Sequence, residues 1–373
     1  MVHLIHFYIL DFKEGRVVKN IIITISFVLA IFLGLFTNVI AKDKQISSTE
    51  RRTLAQFPDI SVEKILNGDV TSKWEKYVED QFVGRDLFRS IKSFWSFNIF
   101  GQKDNNQLFE KDNAIYKMEY PMQENNIKKS AQKINAVYQK YLQNMDVYYA
   151  IIPDKNYYLK NDDHLKIDYN RVVEIFENEL TNYKYIDISK GLKLEDFYRT
   201  DLHWKQEKLD NVVEIIKKEM KLNNTNEKYS IIDKGEFYGA YYGQYLADVE
   251  PDKLYILTNE TIEKCNTFNY ETQKNAPIYT ETKSADRYDV FVSGATSLIT
   301  IENPNANNNK ELLLFRDSFG SSIAPLLIEN YSKITLIDLR YISSQLLDKY
   351  IIFEGQDVLF LYSTVVLNQN VFK

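Results

Sequence analysis

Cysteine is almost absent: Cys265 is the only one in 373 residues, which excludes an internal disulfide. Lys264 beside it, with no histidine near in sequence, does not mark a reactive thiolate, so Cys265 reads as an ordinary small residue. An excess of basic charge is missing too. Lys and Arg number 46 against 52 Asp and Glu, and a net charge of -6 with a pI near 5.5 removes the electrostatic reason for a nucleic-acid partner. Histidine is scarce, with four in the chain, of which His3 and His6 lie in the first few positions. No helical i, i+4 histidine pair, no cysteine cluster and no repeat of fixed period is present, so neither a metal nor another cofactor is expected.

What is present belongs to a folded protein: 45% of residues are hydrophobic and 26% charged, enough for one large domain with a small appendage. The 27 Tyr and 22 Phe can fill a core or provide stacking platforms for sugars. From Ile21 to Ala41 there is no charge and only Thr24, Ser26, Thr37 and Asn38 are polar; as a helix this run is ~31 Å long, the thickness of a bilayer core. Lys13, Arg16 and Lys19 before it are balanced by Lys42, Lys44, Arg51 and Arg52 after it, so flanking charge does not orient the span. A short N-terminal tail with a long translocated domain is the simple signal-anchor arrangement, which predicts a single-pass cell-membrane protein with its N-terminus cytoplasmic and its bulk extracytoplasmic. Val39-Ile40-Ala41 would also suit a signal peptidase, and the length of the tail and span argues for retention.

The expected organisation is a cytoplasmic tail at 1–20, the span at 21–41, a tether and helical segment at 42–110, and the main domain at 111–373. In the third of these, Val70, Trp74, Tyr77 and Val78 recur at helical spacing. In the main domain, helices are predicted near Asn126–Met145, Arg171–Leu180, Lys205–Met220, Gly320–Asn330 and Ser343–Lys349. Strands are predicted at Val147–Ile152, Tyr185–Ile188, Glu311–Arg316, Ile334–Leu339 and Val358–Tyr362. The stretch 223–309, Asn-rich and containing Gly239-Ala240-Tyr241-Tyr242-Gly243, reads as loops, short strands and an irregular insertion able to shape a cleft. Alternating strands and helices imply an α/β fold with a parallel sheet covered on both faces and ligands at the carboxyl ends of its strands.

The strand ending at Arg316 runs into Asp317-Ser318-Phe319-Gly320, placing Ser318 at a strand-to-helix turn, where helix-start N–H groups can face an oxyanion. Alone, an Asp-Ser before a helix is more often a simple N-cap. A second motif changes the balance: Asp201-Leu202-His203-Trp204, read as extended chain, projects its carboxylate and imidazole to one side. That pair can orient a histidine to take a proton from a serine. Trp204 could shield such a site from water. His164, beside Asp162 and Asp163, is the competing base, and a metal cluster of these residues with Asp201 and His203 is conceivable by ligand type alone.

Asp201-Leu202-His203-Trp204 resembles the signature of the DHHW family and of the SGNH-hydrolase-like domains of alginate and cellulose O-acetyltransferases. So do Glu50-Arg51-Arg52-Thr53-Leu54, Asn67-Gly68, Asp80-Gln81-Phe82-Val83-Gly84-Arg85-Asp86, Ile152-Pro153-Asp154-Lys155, Arg316-Asp317-Ser318-Phe319 and Ile337-Asp338-Leu339-Arg340-Tyr341. The resemblance runs from about Glu50 to the C-terminus, with two departures: Leu202 at the second signature position, and Tyr362-Ser363-Thr364 where relatives often have Tyr-Asn. It implies a three-layer SGNH-like domain in circularly permuted order, Asp-x-His before Ser, with Ser318 as nucleophile, His203 as general base and Asp201 as its partner. Lys155 and Arg340 follow strand ends and, with Arg316 and Trp204, are candidates to support a substrate. The implied activity is extracytoplasmic O-acylation, acetyl first, of a cell-surface or secreted polysaccharide, with the acyl group handed over by an integral-membrane acyltransferase. A carbohydrate esterase and a noncatalytic polysaccharide-binding or assembly protein are the alternatives.

Overall fold

The computed structural model describes residues 2–47, 50, 52–61, 63–64, 67, 69–160, 163–223, 228–245, 249–281 and 286–373; Arg51, Gly68 and Asp162, used in the sequence reading, lie outside them. The chain forms two compact units, residues 1–48 with 52–92 and residues 49–51 with 93–373.

The first unit opens with helix α1 (Val2–Ile40). Its Val18–Ile40 portion has mean hydropathy 2.3 and is not buried against protein. At ~1.5 Å per residue it is about 35 Å long, sufficient to cross a membrane. Helix α2 (Asp69–Gln81) carries the expected amphipathic pattern. Trp74 and Tyr77 pack on Phe57, and Asp80 and Gln81 bind the backbone at Ala55, with Gln81 also tying down Lys44.

The second unit is built on an eight-stranded sheet. In chain order its strands are β1 (Val147–Ile152), β2 (Lys184–Tyr185), β3 (Asn266–Asn269), β4 (Lys274–Pro277), β5 (Leu298–Glu302), β6 (Glu311–Arg316), β7 (Lys333–Ile337) and β8 (Asp357–Ser363). Their spatial order is β4-β3-β5-β7-β6-β8-β1-β2. The five strands β7-β6-β8-β1-β2 are parallel, and β5, β3 and β4 extend the sheet antiparallel from the β7 side. β1 and β6 lie between neighbours and are covered on both faces, which is why their sequences, Val-Tyr-Tyr-Ala-Ile-Ile and Leu-Leu-Leu-Phe, are apolar without alternation.

Tyr148, Ala150, Leu312 and Leu314 face a core with helices α5 (Asp210–Glu219) and α6 (Phe319–Leu327). Tyr149, Ile151, Leu313 and Phe315 face the opposite core, against α3 (Glu124–Val137) and α4 (Tyr169–Glu179). This is the three-layer α/β architecture expected, with a mixed sheet in place of a wholly parallel one.

Three local differences have physical causes. The 223–309 stretch is not an insertion apart from the sheet: it supplies β3, β4 and β5, plus a hairpin of Ser230–Phe237 with Asp252–Thr258. The β2 strand stops at Tyr185, short of Ile188, because Asp187 Oδ1 accepts bonds from the N–H and hydroxyl of Ser189 and closes a turn. The helix expected from Lys205 begins as a 3-10 turn at Gln206–Lys208, and α proper runs from Asp210.

Leu314 is fully buried at the centre of β6. Leu314→Ala is expected to lower the unfolding free energy by about 2–5 kcal/mol, the usual cost of a core leucine truncation, as measured by denaturant unfolding; a loss below about 1 kcal/mol would show that this strand is not the centre of the core.

Candidate active site

At the carboxyl end of β6, Asp317 is fully buried and its carboxylate fixes the turn: Oδ2 accepts from Ser363 N at 2.8 Å and Oδ1 from Phe319 N at 3.0 Å. Asp317 thereby does the capping of α6, and the Ser318 side chain makes no cap bond. The simple N-cap reading of Ser318 is thus removed. Gly320 is required by close approach, since a Cβ there would stand 2.5 Å from Arg316 Cβ. Ser318 is left half-buried at the sheet edge, its hydroxyl 2.7 Å from His203 Nε2.

The Asp201–His203 segment is a tight bend, not extended chain. Asp201 Oδ1 accepts both the backbone N–H of His203 at 2.9 Å and its ring Nδ1 at 2.6 Å, so one carboxylate folds the turn and orients the ring. An ionised carboxylate only accepts hydrogen bonds. Nδ1 therefore carries the ring proton and Nε2 presents its lone pair to Ser318. Asp201 Oδ2 accepts from Ala240 N at 2.7 Å. The structure brings Asp201, His203 and Ser318 into one hydrogen-bonded chain across 115 positions of sequence.

Lys155, considered for substrate support, is spent elsewhere. Its buried ammonium donates to the carbonyls of Tyr198, Arg199 and Asp201 at 3.0–3.1 Å, holding the turn from beneath. Burial draws its pKa down to about 7, while Asp201, Asp252 and Asp154 pull the other way. Asp252 accepts the N–H groups of Arg199 and Thr200 and the Thr200 hydroxyl. Gly239 packs on the same turn so closely that a Cβ would lie 2.2 Å from Thr200 O.

Trp204 does not wall off solvent. It is fully buried, and its indole N–H donates to Ser322 Oγ at 2.8 Å and Phe319 O at 3.2 Å, stitching the histidine turn to α6. Tyr288 lies flat on the His203 ring, centroids 3.9 Å apart, and its hydroxyl donates to the same Ser322 Oγ. Burial raises the Tyr288 pKa well above the ordinary value, keeping that donor protonated.

The two arginines are likewise engaged. Arg340 forms a bidentate pair with buried Asp338, and Arg316, fully buried, lies 3.9 Å from the same carboxylate and donates to Gly294 O. Neither is positioned as a free cation for substrate. His164 stacks on Phe109 at 3.6 Å, whereas His203 stacks on Tyr288; Asp162, part of the mixed His/Asp cluster considered from sequence, lies outside the described residues. Cys265 is buried, and burial pushes its thiol pKa up to about 12, consistent with an inert residue.

Sequence reasoning missed Tyr288, Ser322, Asp252 and the Ala240 amide. Of these, only the Gly239–Gly243 cluster offered a signal, and it read as an irregular loop. The helix start is also less generous than expected: the N–H groups of Phe319 and Gly320 are taken by Asp317. The Ser318 N–H has no acceptor among the described residues.

Gly239→Ala must displace the Thr200–Asp201 backbone. It is expected to cost about 1–3 kcal/mol as an overpacking change and to lower ester turnover at least tenfold by moving the carboxylate. Full turnover in Gly239→Ala would show that the position of this turn does not matter.

A family model described as DHHW protein matches residues 178–337. No curated protein matches the chain. Among solved structures, a DHHW family protein from Eubacterium siraeum is similar with a TM-score of 0.60 and 19% identity, over 72% of this chain and 94% of that one. PatB1 of Bacillus cereus, described with a sulfonyl adduct, is similar with a TM-score of 0.58 and 22% identity, over 73% and 98%. At these identities the likeness shows a shared α/β fold. The matched segment contains Asp201, His203, Trp204 and Ser318, the residues that carried the resemblance in sequence, and over that segment the chain is similar to the DHHW family.

Proposed function

We propose that this chain is a serine acyltransferase, anchored by α1 with its second unit outside the cytoplasm, that O-acylates a polysaccharide. The observation that carries this reading is the hydrogen-bonded run Asp201–His203–Ser318 at the carboxyl edge of the sheet, with short contacts of 2.6 and 2.7 Å. In the proposed cycle His203 Nε2 takes the Ser318 proton as Oγ bonds to the acyl carbon of the donor. The leaving group departs with that proton, leaving Ser318 acylated. His203 then takes the proton of an acceptor hydroxyl, whose oxygen bonds to the acyl carbon, and Oγ leaves and regains the proton. The Ser318 N–H is the donor nearest in sequence to the developing oxyanion. Acetyl is the first acyl group to test, the donor being an integral-membrane acyltransferase and the acceptor a cell-surface or secreted polymer.

One observation favours a second outcome on the same machinery. Ser318 is half-buried, not enclosed, so water can reach an acyl-serine. Hydrolysis then competes with transfer, and the protein would act as a carbohydrate esterase.

The test uses the full chain in lipid nanodiscs with p-nitrophenyl acetate and a neutral oligosaccharide. Transfer predicts acetylated sugar in excess of free acetate. Acetate alone would convert the reading to an esterase, and no turnover would contradict both. Ser318→Ala is expected to lower p-nitrophenol release at least ~10³-fold, and Asp201→Asn by about 10³–10⁴-fold through the wrong histidine tautomer, with folding unchanged for Ser318→Ala.

A further inference from the structure

The sheet has a second feature that the proposed reaction does not use. On the face shared with α3 and α4, Thr300 of β5 and Thr335 of β7 are direct partners, beside Leu313 of β6 and between the Leu298–Ile337 and Glu302–Lys333 rungs. Each threonine is only 4% exposed, and neither hydroxyl has a hydrogen-bond partner among the described residues. Both line a cavity of about 390 Å³, a size typical of small-molecule sites, which span ~300–1,000 Å³. The two hydroxyls stand on adjoining strands and open onto that cavity, where they are available to hydrogen-bond a ligand.

The remaining walls narrow the chemistry. Tyr270 and Tyr350 meet edge to face, centroids 6.0 Å apart, and present aromatic surface. Glu311 and Lys333 at the rim neutralise each other at 3.5 Å. Hydroxyls, aromatic faces and, with Glu354 also on the wall, a lining that is negative and not positive match a neutral sugar ring, which offers alternating hydroxyls and an apolar face. A uronate or phosphate would find its one nearby cation already paired. The position lies away from the serine: Glu311 and Lys333 begin β6 and β7, whereas Ser318 follows the carboxyl end of β6.

We propose that this cavity on the β5–β7–β6 face is a binding site for a neutral saccharide unit, separate from the Ser318 centre, that holds a polymer against the domain. Thr300 and Thr335 supply the hydrogen bonds and Tyr270 and Tyr350 the stacking surface. This proposal does not depend on Ser318 being a nucleophile.

The test is calorimetry or ligand-observed NMR on the full-length Ser318→Ala chain in nanodiscs free of sugar detergent. The probes are chitotetraose, cellotetraose and tetragalacturonate. At least one neutral tetramer is expected to bind with submillimolar affinity, and the acidic one not. Thr300→Val with Thr335→Val keeps the branched shape and removes only the hydroxyls; it is expected to weaken the neutral tetramer about tenfold while leaving the thermal midpoint unchanged or higher. Tyr350→Ala, at an exposed position, is expected to weaken it without loss of folding. Absence of binding by either neutral tetramer, stronger binding of tetragalacturonate, or unaltered binding in both variants would overturn the proposal.

Discussion

The site is organised around one buried cation. Lys155 sits at the end of β1 with its ammonium out of water, and three backbone carbonyls from the 198–201 turn converge on it. Each partner needs the other: a buried ammonium is costly without acceptors, and a turn with its carbonyls pointing inward is costly without a donor. Asp201, Asp252 and Asp154 add the compensating negative charge. The turn that carries the histidine can therefore not relax outward without stranding a buried amine in the interior without its acceptors. The turn that positions His203 is held from within by that constraint.

The serine side is fixed independently, from the sheet. Asp317 ties the end of β6 to Ser363 at the end of β8 and caps α6, so the Ser318 position is set by two adjacent parallel strands. The two halves are then joined through Ser322 Oγ, which receives both the Trp204 indole and the Tyr288 hydroxyl. This arrangement explains the function of Trp204 in the motif better than shielding does. It sets the distance between imidazole and hydroxyl from rigid elements, while Tyr288 keeps the ring from rotating.

The sequence was most informative where local pattern and tertiary role coincide. β1 and β6 have the boundaries expected from their apolar runs, because a strand buried on both faces needs no alternation and Pro153 and Asp317 mark the ends. The spacing Asp201-x-His203 and the strand-to-helix position of Ser318 were legible for the same reason, although the former works as a bend, not as extended chain. β3 and β4 were not legible: four residues each, rich in Asn and Lys, they are strands only because β5 offers a ladder to join. Lys155, Arg316 and Arg340 looked like substrate cations because sequence shows their charge and their place near the sheet edge but not the carbonyls and the Asp338 carboxylate that occupy them. Tyr288 and Asp252, which complete the site, come from the irregular middle of the chain, where no periodicity marks them.

The result is a site whose reactive hydroxyl is open to solvent while its base and carboxylate are buried. That asymmetry suits the proposed transfer, in which Ser318 would receive an acyl group and pass it on. The most direct measurement is the intact mass of the full chain, quenched within seconds of exposure to an activated acetyl ester, followed by peptide mapping. The account predicts a gain of one acetyl group located on the peptide containing Ser318 and lost in Ser318→Ala; an acetyl group on another residue, or one that persists in that variant, would contradict it.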